Sequence, residues 1–217
     1  IDQTHVQVFP FFNCSMLNQS DLRPSSSEIV VEGLTVKALN IPEIKVFRAE
    51  AKRDMRGEVL PTFNQMFFEK LGLDFHVMHE NHCSSPKRGT IRGFHYQLPP
   101  HGQAKLIRVC QGKIVDVCID LRKSSSTFGQ HVKVELEPDG WNQIFVPEGF
   151  AHCYCTMEAH TEVLFKLGAP YAPSFARGLA WNDQDLGVSW PISQKTAIVL
   201  ARDLDRPAFS SLTEWFP

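Results

Sequence analysis

After Gly89 the chain falls into short apolar runs rich in Val, Ile and Phe, at residues 90–97, 105–110, 113–120, 131–136, 143–146, 152–157 and 162–167. Turn residues separate them: Pro99-Pro-His-Gly102, Gln111-Gly112, Pro138-Asp-Gly140 and Pro147-Glu-Gly149. Seven closely spaced strands joined this way predict an all-β sandwich or barrel. The runs at 152–157 and 162–167 are expected to pair as a hairpin turning near Glu158-Ala-His160. In the first half, residues 62–71 (TFNQMFFEKL), ending before Gly72, are the best helix candidate. The tail from residue 183 onward reads as loops with one short helix. Residues 1–32 form an extension without an assigned role, with a loop at Pro24-Ser-Ser-Ser27, and residues 33–217 read as one domain.

Composition narrows the classes. Of the 217 residues, 43% are hydrophobic and 21% charged, as in an ordinary soluble domain able to bury a full core. A net charge of -2 gives no electrostatic reason to expect nucleic acid or an anionic membrane as partner. No apolar run reaches the roughly 18–20 residues of a membrane span, and no signal-peptide pattern is seen after Ile1. The six cysteines form no CxxC and mostly sit in apolar runs, so reduced thiols and a cytoplasmic location are expected.

Candidate chemistry lies in three segments: Arg92-Gly-Phe-His-Tyr-Gln97, Gln103-Ala-Lys105 and Pro147-Glu-Gly-Phe-Ala-His152. They place an arginine, two histidines and a lysine on separate strands that can converge inside a barrel. A cationic interior with a candidate base suits proton abstraction beside a carbonyl on an anionic substrate. An aspartate flanked by Val115 and Val117 also needs a partner if its strand is buried. That residue is Asp116.

These segments resemble the dTDP-4-dehydrorhamnose 3,5-epimerases, sugar-nucleotide epimerases of the cupin superfamily, over roughly residues 33–209. The resemblance selects a cupin-type double-stranded β-helix, or jelly roll, with short flanking helices. It implies His95 as general base, oriented by Asp203 with Asp205 as the fallback, and Lys105 as stabiliser of the enolate oxygen. It also implies a buried pair of His152 and Asp116. Substrate contacts are implied for Arg92, Asn81, Gln103, Tyr171 and Phe165, and for Arg56 across a homodimer interface. The implied substrate is a dTDP-linked 4-keto-6-deoxyhexose, and no cofactor is implied. A metal is not expected, because His95-Tyr-Gln97 lacks the second histidine of metal-binding cupins and His79-Glu-Asn-His82 is not H-E-x-x-H.

One departure concerns the chemistry. The family places a tyrosine in a Leu-Tyr-Lys run as proton donor opposite the base, where this chain reads Leu164-Phe165-Lys166. Tyr154 lies two residues after His152, so strand periodicity puts both on the inward face. The expectation is that this phenol replaces the one absent at Phe165. Pro61 and His79 also depart from the family, which leaves another nucleotide open. The competing functions are a C3-only epimerase, a 3,4-ketoisomerase on the same sugar class, and a non-catalytic sugar-nucleotide-binding cupin.

Overall fold

The structure, a computed structural model, describes residues 28–31 and 33–217. The loop expected at 24–27 lies outside them. Among the described residues, twelve strands form two antiparallel sheets. The larger sheet contains Glu28–Val31 (β1), Leu34–Ala38 (β2), Lys45–Ala49 (β3), His79–Ser85 (β6), Lys105–Gln111 (β8), Asn142–Val146 (β11) and Thr161–Leu167 (β13), in the order β1-β2-β3-β11-β8-β13-β6. The smaller contains Ile91–Gln97 (β7), Ile114–Asp120 (β9), His131–Leu136 (β10), Phe150–Thr156 (β12) and Ala176–Gly178 (β14), in the order β10-β9-β12-β7-β14. Lys52–Asp54 (β4) and Gly57–Val59 (β5) make a separate exposed ribbon. The architecture is the expected all-β jelly roll.

Side-chain alternation builds three apolar layers. Ile107, Val109, Ile144, Val146 and Val163 of the larger sheet meet Ile114, Cys118, Val132, Phe150 and Tyr154 of the smaller in the interior. The opposite face of β9 and β12, with Val115, Val117, Ala151 and Cys153, is covered by the C-terminal tail through Leu179, Trp181, Leu186 and Phe216. Both faces of these central strands are therefore buried. The outer face of the larger sheet, with Phe47, Leu106 and Phe145, is covered by Phe67 and Phe68 of a helix at Gln65–Lys70 (α1). The helix is shorter than the expected 62–71 because the Asn64 side chain accepts a hydrogen bond from the Met66 amide and caps it.

The expected hairpin between residues 152–157 and 162–167 does not form. β12 has β9 and β7 on its two edges, while β13 lies between β8 and β6 in the other sheet. With both edges of β12 occupied, the turn through His160 (φ +54°) carries the chain across the sandwich. Tyr154 and Phe165 still meet across the interior, with ring centroids 5.8 Å apart and planes tilted by 38°.

Candidate active site

The strand that carries His95 is shaped by one glycine. His152 of β12 registers with His95 of β7, and Tyr154 with Arg92, so three steps on β7 oppose two on β12. This bulge lets Arg92 and His95, which plain alternation would place on opposite faces, share the face of Tyr154 and His152. The extra residue falls beside Gly93, at φ +131°. A Cβ there would lie 2.4 Å from the His152 carbonyl oxygen, so only glycine fits.

His95 Nε2 lies 2.9 Å from Oδ1 of Asp203, on the short helix Ala201–Leu204 (α2). Asp203 is buried, whereas the His95 ring keeps 37% of its surface open. A carboxylate only accepts hydrogen bonds, so Nε2 carries the proton and Nδ1 keeps a free lone pair. Burial holds the imidazole pKa below its ordinary 6.5, against the opposing pull of Asp203. Of the two tail carboxylates considered, Asp203 meets the histidine; Asp205 is exposed.

Lys105 opens β8 on the facing sheet, and its Nζ lies 3.5 Å from the His95 carbonyl oxygen. It is 8% exposed, and burial lowers its pKa to about 8. Deeper in, His152 Nε2 lies 2.6 Å from Asp116 Oδ2, and the Cys118 thiol donates to Asp116 Oδ1 at 3.4 Å. This pair satisfies two polar groups that would otherwise be stranded in the core.

Tyr154 crosses the interior beneath Phe165, whose ring centroid also lies 6.0 Å from that of His152. The Tyr154 hydroxyl is buried without a hydrogen bond of good geometry. Ser85 stands near enough to lower its pKa slightly, but burial dominates and pushes the phenol well up. Arg92 extends from the same row to the surface, donating weakly to Ser85 Oγ and the Ser84 carbonyl, both at 3.4 Å.

His95, Asp203, Lys105, His152, Asp116, Tyr154, Phe165 and Arg92 are thus brought together. The other expected contacts lie around them or apart. Asn81 is exposed on β6 in register with Phe165. Gln103 is engaged by the Ala169 carbonyl at 2.7 Å, and Tyr171 is 64% exposed. Arg56 sits on the β4–β5 ribbon, held by Asp54 at 2.6 Å. Sequence reading passed over Arg206, 3.6 Å from Asp203 Oδ1; its i+3 spacing from Asp203 was the available signal.

Comparison with known proteins gives the same reading. A sequence model of the dTDP-4-dehydrorhamnose 3,5-epimerase family matches residues 38–211. A Sinorhizobium fredii protein of that name is 36% identical over 176 residues, covering 81% of this chain and 90% of the relative. The structure of the Bacillus anthracis dTDP-4-dehydrorhamnose 3,5-epimerase, with TDP and pyrophosphate bound, superposes with a TM-score of 0.78 and 36% identity, covering 81% of this chain and 99% of that one. A 3'-monoepimerase from Streptomyces bikiniensis, in complex with dTDP-quinovose, superposes at 0.74 with 27% identity, covering 80% and 87%. With its histidine–aspartate pair inside a jelly roll, this chain belongs to the dTDP-4-dehydrorhamnose 3,5-epimerase family and is an isomerase of the carbohydrate-epimerase class.

Proposed function

We propose that the protein epimerises a dTDP-linked 4-keto-6-deoxyhexose by proton abstraction and return at the carbons flanking the ketone. The observation that carries this reading is the His95–Asp203 pair, with a free imidazole nitrogen, facing a buried Lys105 across the interior. The C4 ketone acidifies the protons on C3 and C5. His95 Nδ1 takes one of them, and the C–H electron pair moves into the enolate. Lys105 Nζ neutralises the charge growing on O4, with His152, held by Asp116, nearby. The substrate's own carbonyl receives the electrons, so the step needs no cofactor. Arg92 binds the diphosphate as a fork-shaped donor, with Asn81, Gln103 and Tyr171 around the nucleotide sugar.

Reprotonation from the opposite face needs a donor that Phe165 cannot supply. Tyr154 is the candidate: burial keeps its phenol protonated, and its hydroxyl makes no hydrogen bond of good geometry. That hydroxyl is closed off in this structure, so donation requires it to turn toward bound substrate. The closed hydroxyl and Phe165 together favour a second reading, inversion at C3 alone, an activity borne by the structurally similar monoepimerase.

A homodimer completes the proposal. The β4–β5 ribbon exposes Met55 (101%) and Val59 (71%) beside Arg56. A second protomer covering this ribbon would bring Arg56 to the partner's diphosphate. The reduced thiols of Cys83, Cys110, Cys118, Cys153 and Cys155 support the cytoplasm as the working compartment. The test of the base is His95→Asn, measured for dTDP binding by calorimetry and for turnover. Retained binding with turnover lowered about 10²–10⁴-fold supports the role; unchanged turnover removes it.

A further inference from the structure

Arg206 stands behind the base. It follows α2, three residues after Asp203, and its Nε lies 3.6 Å from the same Asp203 Oδ1 that meets His95. This is an ion-pair distance, too long for a hydrogen bond. The Nε is buried and has no hydrogen-bond partner of its own. An enclosed donor left unpaired is unfavourable, so its placement needs a reason.

Gly178 provides the space. It registers with His95 across the β14–β7 pair. A Cβ at Gly178 would lie 2.8 Å from Arg206 Nε, 3.0 Å from its Cδ and 2.6 Å from the Phe94 carbonyl oxygen. The arginine therefore lies over bare backbone beside the imidazole–carboxylate pair, a place that any larger residue at 178 would fill.

We propose that Arg206 is a positioning residue for the reaction, its fixed charge holding the Asp203 carboxylate on His95 and disfavouring protonation of the resting base. The inference rests on the reading of His95 as that base. The groups facing His95 are Asp203 from α2, Lys105 from β8, His152 from β12 and Arg206 from the segment after α2. Asp203 favours the imidazolium, while Lys105 and Arg206 oppose it. Lys105 loses its charge as pH rises through about 8, whereas a guanidinium stays charged throughout the working range. Arg206 is thus the pH-independent counterweight to Asp203.

The experiment compares R206M, R206Q and R206K in the full chain. R206M keeps the aliphatic stem over Gly178 without the charge, and R206Q serves if R206M folds poorly. Two readouts are taken: the NMR titration of the His95 ring, assigned against His95→Asn, and the pH profile of kcat/KM. The charge-free variants are expected to titrate the ring at higher pH and to lose kcat/KM several-fold on the acid limb, with the loss fading toward alkaline pH. R206K is expected to retain the wild-type behaviour in both. An unmoved ring titration in a folded, charge-free variant would overturn the inference, leaving Arg206 as a tether between α2 and β14. A ring titration that moves while the acid limb stays fixed would show that His95 is not the base. The inference would then fall with that reading, by a different route.

Discussion

At the scale of single residues, the proposed mechanism has His95 and Lys105 set opposite limits on activity. The base must be neutral, and its pKa lies below 6.5, so the competent fraction grows as pH rises into the neutral range. Lys105 must be charged, and its ammonium is lost as pH rises through about 8. The kcat/KM profile is therefore expected to be a bell whose alkaline limb falls near pH 8, and Lys105→Met should remove that limb along with most of the activity. Phe165 gives the complementary test. If the missing phenol limits return of a proton, Phe165→Tyr should raise turnover, while Tyr154→Phe should lower it. A Tyr154→Phe enzyme with wild-type turnover removes Tyr154 from the chemistry. The His152–Asp116 pair belongs to stability as well. Asp116→Ala leaves a buried imidazole without its partner, and denaturant melts should show a loss of about 1–3 kcal/mol.

At the scale of elements, the site depends on a bulge that a single glycine permits. Gly93→Ala forces a Cβ against the His152 carbonyl at a φ that side chains avoid. It should cost at least about 1–3 kcal/mol and disturb the His95–Arg92 face, read as a lower melting temperature together with lower turnover. The strand runs after Gly89 were legible because β-branched residues and Gly/Pro turns mark them directly. The observed β10 spans His131–Leu136, as the residue pattern implied. Pairing was less legible. The short link between β12 and β13 reads locally as a hairpin, yet partners distant in sequence, β9 and β7, hold both edges of β12. No local signal marks that outcome. The bulge was hidden for the same reason: a glycine in a strand pattern announces an irregularity, but only the opposing strand shows which side chains it re-aims.

At the scale of the molecule, the two sheets bring groups distant in sequence to one place. Asp203 reaches His95 across 108 residues, and Asp116 meets His152 across 36. The family motifs made these pairings legible; residue pattern alone did not, since a tail carboxylate carries no mark of its partner. Arg206 escaped notice because its use depends on the bare backbone at Gly178, a strand away. The ribbon carrying Arg56, Met55 and Val59 is expected to be covered in a homodimer. Sedimentation should give twice the 24.6 kDa chain mass, and Arg56→Ala should raise KM more than it lowers kcat. A monomer that turns over at full rate would contradict that arrangement. The most direct test of the central claim, carbanion chemistry by His95 beside a ketone, is NMR of the protein with dTDP-4-keto-6-deoxyglucose in heavy water. Deuterium is expected to enter at C3, at C5 as well if a donor serves both carbons, and in neither position with His95→Asn. Wild-type protein that binds the nucleotide sugar without exchanging any ring proton would contradict it.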